Sequence, residues 1–108
     1  MAQFDQLEKL ARDIAAKTAA SPDTSYTAKL ISHGVARCAK KFGEEAVELA
    51  LASVASDKTE TTKEAADVLY HFLVLLKAAG VSPDDVMREL KRREGESGLV
   101  EKASRSNG

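Results

Sequence analysis

Acidic side chains recur at a three-residue spacing in two separate segments of the chain. The segment FGEEAVELA contains Glu45 and Glu48, and the segment KEAADVLYH contains Glu64 and Asp67. A helix advances about 100° per residue, so residues three positions apart lie one turn apart on the same face. If these two segments are neighbouring antiparallel helices, their four carboxylates converge at the edge of an apolar surface.

Converging carboxylates imply a bound cation. Several negative charges in a partly desolvated place are costly, unless some of them take up protons or a cation holds them. Oxygen ligands alone favour a hard cation, so we expect Mg²⁺, with Mn²⁺ as a possible substitute. Proteins commonly share Mg²⁺ between carboxylates and substrate phosphates. The spacing therefore predicts phosphate chemistry, with four metal ligands: Glu45, Glu48, Glu64 and Asp67.

Two other interpretations of the acids stay open. The first is a solvated face with surface ion pairs, which Lys40 and Lys41, a few positions before Glu44 and Glu45, would support. Against it, no lysine or arginine follows any of the acids by four residues, which is the favourable order for a helical ion pair. The second is a di-iron site, which uses glutamate with histidine three residues later. No histidine has that position here, so iron is disfavoured.

The elements that must position the acids are predicted to be helices. The chain has two prolines and no alternating β-branched runs, so we predict an all-α fold of four to five helices. The expected helices are a first near the N-terminus, a second from Ser25 or Thr27 to about Ser56 with a possible bend at Gly34 or Gly43, a third from about Thr59 to Ala79, and a fourth from Ser82 to about Glu94. The short connection between the second and third helices would place them side by side.

The third predicted helix indicates a partner. Its segment VLYHFLVLL, residues 68–76, is apolar on every side. A helix without a polar face is buried all round, and four helices from one chain can hardly cover it. We therefore expect a homodimer that completes a larger helical bundle.

Length and composition limit the class of protein. The 108 residues predict one domain, residues 1–108, in which the glycine- and serine-rich residues 95–108 form a flexible or substrate-ordered tail. The net charge of -1 provides no basic field for nucleic acid. No apolar run has the roughly 18 residues of a membrane span. The single cysteine, Cys38, suits a reducing compartment, so we expect a cytoplasmic protein.

The acidic pattern resembles a known group of enzymes. EEAVE from residue 44 followed by EAAD from residue 64 is similar to the all-α nucleoside triphosphate pyrophosphohydrolases, the MazG-like and dimeric dUTPase superfamily. Within that group, the chain resembles the phosphoribosyl-ATP pyrophosphohydrolases through SYTAKL, KKFGEEAVELALA, EAADVLYHFLVLL and REGESGLVEKASR. The resemblance implies a dimeric MazG-like bundle. It also implies Mg²⁺-dependent hydrolysis of phosphoribosyl-ATP to phosphoribosyl-AMP and pyrophosphate, the second step of histidine biosynthesis.

The residues then receive candidate roles. Glu45 is expected to act in catalysis as a metal ligand, and Glu44 either completes the metal cluster or serves as general base. The candidates for contact with the substrate are Ser25, Tyr26, Lys29, Lys40, Lys41, His71, Arg92, Arg93, Lys102 and Arg105. Ser25 could equally start a helix, and His71 could be a core histidine or a hydrogen-bond donor to a carboxylate.

Two alternative functions stay open beside this one. The first is a house-cleaning enzyme of the same superfamily that hydrolyses other nucleoside triphosphates or dUTP. The second is a non-catalytic helical dimerisation module whose acids are structural.

Overall fold

The computed structural model describes residues 3–95, and these residues form five α-helices and no strand. The helices are α1 (Asp5–Lys17), α2 (Tyr26–Ser32), α3 (Val35–Val54), α4 (Lys58–Ala79) and α5 (Pro83–Arg92). The predicted all-α class is confirmed. The predicted tail lies outside the described residues except for Gly95.

The predicted second helix is in fact two helices, because the chain breaks at Gly34. This residue has φ +93° and ψ 168°, a backbone conformation that is essentially restricted to glycine. His33 ends α2 on one side of it, and α3 begins at Val35 on the other. Gly43, the other candidate for a bend, lies inside α3 without interrupting it. The expected disruption at one of the two glycines is therefore confirmed at Gly34, whereas the continuation of a single helix from Ser25 or Thr27 to about Ser56 is wrong.

Helices α3 and α4 form an antiparallel hairpin that carries the acidic residues. Only residues 55–57 connect them, and Ser56 adopts φ +59° in this tight turn. The Asp57 side chain caps α4 by accepting a hydrogen bond of 3.0 Å from the backbone N–H of Glu60. The two helices pack along their length. This geometry fixes which turn of α3 faces which turn of α4.

Helix α4 is the central helix of the fold. It packs against α1, α2 and α3, and the core cluster consists of residues from all four helices: Ile14, Leu30, Cys38, Leu73 and Val74. The apolar segment of α4 is therefore covered largely within one chain, which differs from the expectation that four helices could hardly cover it. Leu69, 43% exposed, is the exception among its large apolar side chains.

Helix α5 begins at the predicted SPDD signal. The Ser82 hydroxyl accepts a hydrogen bond of 3.1 Å from the backbone N–H of Asp84, and Asp85 completes the capping box. Between residues 3 and 95, no single helix has the length and apolar character of a membrane span. Helices α4 and α5 pass that test only as a pair bent by 103°, by length and composition alone.

Candidate metal centre

Three carboxylates meet between α3 and α4. Glu45 and Glu48 lie one turn apart on α3, and Glu64 faces them from α4. One carboxylate oxygen from each residue lies within 4.8 Å of the other two. The helical periodicity places the first two on one face, and the antiparallel hairpin brings the third opposite them. We refer to Glu45, Glu48 and Glu64 as the carboxylate cluster.

Glu64 is the electrostatically strained member of the carboxylate cluster. Its Oε2 atom is buried, and no group in the described part of the chain forms a hydrogen bond with it. Burial is the largest cause that raises the pKa of Glu64, to about 7, and the negative charge of Glu48 is the next. Glu45 and Asp67 add further negative charge. The carboxylate form of Glu64 therefore needs a positive partner at neutral pH.

The donor set of the carboxylate cluster fits a hard divalent cation. All three ligand atoms are carboxylate oxygens, the donors that Mg²⁺, Ca²⁺ and Mn²⁺ prefer over nitrogen or sulfur. A cation between the carboxylates would neutralise their mutual repulsion and would give the buried Oε2 atom of Glu64 a partner. Three protein ligands would leave other coordination positions for water or phosphate oxygens.

Two predicted participants lie beside the carboxylate cluster rather than within it. Asp67 follows Glu64 by one turn of α4 and is exposed, and its charge contributes to the raised pKa of Glu64. Glu44 is exposed on α3, next to Glu45 in the sequence. Neither residue contributes an oxygen atom to the group of carboxylate oxygens that lie within 4.8 Å of one another.

Basic and imidazole groups border the carboxylate cluster on the side away from the hairpin turn. The Nζ atom of Lys41 lies 4.0 Å from Oε1 of Glu45, and both side chains are mostly buried. Lys40 is exposed and forms no ion pair within residues 3–95. His71 is 6% exposed, and its Nδ1 atom has no hydrogen-bond partner in that range. Burial lowers the pKa of His71, and the negative charge of Glu45 opposes that effect.

The predicted substrate residues of α2 are separate from the carboxylate cluster. The Ser25 hydroxyl caps α2 by accepting a hydrogen bond of 3.1 Å from the backbone N–H of Ala28. Tyr26 and Lys29 are exposed and line a groove together with His33. Ser25 caps the start of α2 and also lines the groove. Its predicted roles as a helix start and as a substrate contact are therefore compatible.

Two of the four predicted basic residues near the C-terminus, Arg92 and Arg93, belong to the residues that the structure describes. Arg92 and Arg93 follow Glu89 at the end of α5 and form hydrogen bonds with its carboxylate. These bonds, with Arg92 the larger cause, lower the pKa of Glu89 to about 2. The other two candidates, Lys102 and Arg105, lie outside the described residues.

Two contacts that the sequence did not reveal attach α2 to α4. The hydroxyl groups of Thr27 and Tyr70 lie 2.5 Å apart, and the Tyr26 ring stacks on the Tyr70 ring at a centroid distance of 6.5 Å. The hydrogen-bonded residues are 43 positions apart, so no local pattern could indicate the pairing. For the exposed side of α2, the sequence does contain a signal. His33 follows Tyr26 by seven residues, which is two helical turns, so this spacing predicts that Tyr26 and His33 lie on the same face.

Comparison with known proteins identifies relatives that cover most of the chain. The family model described as phosphoribosyl-ATP pyrophosphohydrolase matches residues 7–94. Curated relatives called phosphoribosyl-ATP pyrophosphatase include that of Ruegeria pomeroyi, 51% identical over 94% of this chain and 97% of its own length. The corresponding protein of Methylobacterium radiotolerans is 58% identical over 92% of both chains. The chain therefore belongs to the phosphoribosyl-ATP pyrophosphohydrolase family.

Proposed function

We propose that this protein hydrolyses phosphoribosyl-ATP to phosphoribosyl-AMP and pyrophosphate, the second step of histidine biosynthesis, in the cytoplasm. The reaction would depend on a divalent cation, Mg²⁺ in preference and Mn²⁺ as a substitute. The observation that carries this proposal is the carboxylate cluster, in which the buried Oε2 atom of Glu64 has no partner among the described residues. Membership of the family supports the choice of substrate.

The residues around the cluster have distinct tasks in this reaction. Glu45, Glu48 and Glu64 would hold the cation, which when bound offsets the negative charge of the phosphates and of the leaving pyrophosphate. Asp67, on the exposed side, would complete the ligand set. Glu44 would accept the proton of the water molecule that adds across the α–β phosphoanhydride bond.

Lys41 would serve two purposes at the edge of the site. Its ammonium group lies 4.0 Å from Glu45 and so compensates part of the negative charge of the carboxylate cluster. Its position also allows it to meet a phosphate oxygen that reaches the cation. Lys40, exposed on the preceding position of α3, is available to a more distant phosphate.

A substrate panel tests the proposed reaction. Purified protein is incubated with Mg²⁺ and phosphoribosyl-ATP, dUTP or dCTP, and release of pyrophosphate is measured. We expect kcat/KM to be highest for phosphoribosyl-ATP. Preference for dUTP or dCTP would instead identify a house-cleaning pyrophosphohydrolase. Absence of pyrophosphate release from all three would favour the non-catalytic dimerisation module.

The outer face of α3 supports the proposal of a homodimer. Val47, Leu51 and Val54 form a stripe on α3 and are 59%, 64% and 85% exposed. Cys38 is 1% exposed and lies about 180° around α3 from Val47, where α3 contacts α4. A surface helix is normally polar on the face that points away from the core. This helix is apolar there, so we propose that a second copy of the chain covers the stripe.

Protonation of Glu64 should make the effect of the metal depend on pH. The pKa of Glu64 is raised from 4.5 to about 7 in the folded protein, so the folded state keeps a proton that the unfolded state releases. The free energy of unfolding of the metal-free protein therefore falls as pH rises from about 4.5 to 7. Glu64→Gln has no carboxyl group to titrate at this position, so it should not show this fall in stability. The difference in melting temperature between Glu64→Gln and the unmodified protein should therefore shift in favour of the variant as the pH rises from about 4.5 to 7.

With added Mg²⁺, the unmodified protein rather than Glu64→Gln should gain stability as the pH rises. Binding of the cation must displace the proton from Glu64, so stabilisation of the unmodified protein by Mg²⁺ should be larger at pH 7.5 than at pH 5.5. Glu64→Gln should show little stabilisation at either pH. Thermal melts in chelator and in Mg²⁺ measure both effects. Equal stabilisation of the two proteins by Mg²⁺ would remove Glu64 from the metal site.

A further inference from the structure

Helix α2 presents an aromatic and basic face to solvent. Tyr26, Lys29 and His33 follow one another at three- and four-residue intervals, which places them on one side of the helix. All three are exposed, whereas Thr27 and Leu30 on the other side are 4% and 6% exposed. The buried side anchors α2 to the core, and this leaves the basic side available to a ligand.

The exposed face borders an open groove of 570 Å³. Hydroxyl groups of Ser25 and Ser32 line it together with the three side chains of α2. Neither Lys29 nor His33 forms an ion pair within the part of the chain that is described, unlike Lys41 at the carboxylate cluster. Asp23 is the one carboxylate that lines the groove. The Ser32 hydroxyl already donates to the backbone carbonyl of Lys29, at 2.7 Å. The groove thus offers the ammonium of Lys29, the imidazole of His33 and the hydroxyl of Ser25 as donors for a phosphate group.

The groove is held at a fixed place relative to the carboxylate cluster. The Tyr26 ring stacks on Tyr70 with an interplanar angle of 17°, and Tyr70 is itself fixed by its hydrogen bond with Thr27. Tyr70 follows Glu64, the residue of the carboxylate cluster on α4, by six residues, which is about 9 Å along that helix. The groove therefore begins nearly two helical turns beyond the cluster.

The direction of α2 extends the groove away from the acids. Thr27 contacts Tyr70, and Leu30 belongs to the same core cluster as Val74, so α2 runs along α4 away from Glu64. The rise of a helix then places His33 about 10 Å beyond Tyr26. Along these two helices, the distance from the carboxylate cluster is roughly 14 Å to Lys29 and roughly 20 Å to His33 at the far end of the groove.

We propose that this groove is a second phosphate subsite, in which Lys29 and His33 bind the monophosphate of the phosphoribosyl group and Tyr26 packs against the sugar that carries it. This proposal rests on the proposed function. The substrate carries a triphosphate at one end and a monophosphate at the other. The carboxylate cluster can hold phosphates only through a cation, so the distant monophosphate needs separate positive donors. Lys29 provides the positive charge, and the imidazole of His33 adds an N–H donor on the same face of α2.

Removal of the monophosphate and removal of Lys29 should therefore have overlapping effects. The experiment measures kcat and KM with Mg²⁺ for phosphoribosyl-ATP and for ribosyl-ATP, which lacks the monophosphate. For Lys29→Ala, we expect kcat/KM on phosphoribosyl-ATP to fall about 10- to 100-fold, mainly through KM, since a hydrogen bond to a charged group is lost. The value on ribosyl-ATP should stay within about twofold of that of the unmodified protein, because the partner of Lys29 is already absent.

Controls separate this subsite from a general effect of charge or folding. Lys29→Arg should recover most of the activity on phosphoribosyl-ATP. Lys9→Ala removes an exposed lysine of α1 that pairs with Asp13 at 3.0 Å, and it should change neither substrate. Equal losses on both substrates for Lys29→Ala, or no loss on either, would overturn the subsite while the hydrolysis stands. An unmodified protein that hydrolyses neither substrate would overturn the proposed function and the subsite with it.

Discussion

Replacement of Glu48 by glutamine is expected to lower kcat on phosphoribosyl-ATP by more than about 100-fold, since even outer partners of metal ligands contribute 10- to 100-fold. Glutamine keeps the shape of the side chain but removes one of the three negative charges of the carboxylate cluster. Without that charge the cluster holds a cation more weakly, and the phosphates lose their attachment to the protein.

The same substitution should leave the metal-free protein at least as stable as before. The charge of Glu48 is one cause of the raised pKa of Glu64, so its removal relieves repulsion in the folded state. Loss of activity combined with an equal or higher melting temperature in chelator is therefore the specific signature of a metal ligand. Steady-state kinetics and thermal melts on one preparation measure both quantities.

Glu60→Gln is the matched control for Glu48→Gln. Glu60 is an exposed glutamate one turn before Glu64 on α4, and its carboxylate pairs with Lys63 at 3.7 Å rather than with the carboxylate cluster. We expect this variant to retain kcat within about twofold, because an exposed helical pair contributes little. Normal turnover by a folded Glu48→Gln protein would contradict the assignment of the cluster as the metal site.

Replacement of Leu51 by glutamate should convert the proposed homodimer into monomers. Leu51 lies in the middle of the apolar stripe on α3 and is 64% exposed in the single chain. A two-fold dimer would bury it twice, and each buried leucine contributes about 1.5–3 kcal/mol. Two lost contacts raise the dissociation constant at least about 100-fold, before the cost of burying the new charges is added. Light scattering after size-exclusion chromatography measures the change in mass.

Leu90→Glu provides the control for position. Leu90 has a similar exposure, 56%, but lies on α5 rather than on the stripe. We expect the Leu90→Glu protein to keep the mass of a dimer in the same light-scattering measurement. A dimer that persists in Leu51→Glu, or that is lost equally in both variants, would contradict the assignment of the α3 stripe as the interface.

The carboxylate cluster was largely predictable because local rules determine it. Three-residue spacing places Glu45 and Glu48 on one face, and a short connection forces the neighbouring helix to return beside it. Those two facts bring Glu64 opposite the pair. The side-chain conformation of Asp67 is not determined by helical spacing, and this residue lies outside the group of oxygens within 4.8 Å.

Features that depend on distant parts of the chain could not be predicted in the same way. Gly34 and Gly43 were equal candidates for a bend, since each weakens a helix by a similar amount. Helix α2 turns away from the axis of α3 and packs against α4, so the break falls at Gly34. Of the two glycines, only Gly34 has a positive φ. Likewise, the contact of Thr27 with Tyr70 joins residues 43 positions apart. The coverage of α4 by three other helices also follows from tertiary packing.

A crystal of the protein grown with Mn²⁺ tests the central claim most directly. Anomalous scattering locates the ion independently of any assumption about its ligands. We predict an anomalous peak between α3 and α4, within coordination distance of carboxylate oxygens from Glu45, Glu48 and Glu64. A crystal saturated with Mn²⁺ that shows no peak there, with the ion bound at other residues, would contradict the claim that this cluster is the metal centre.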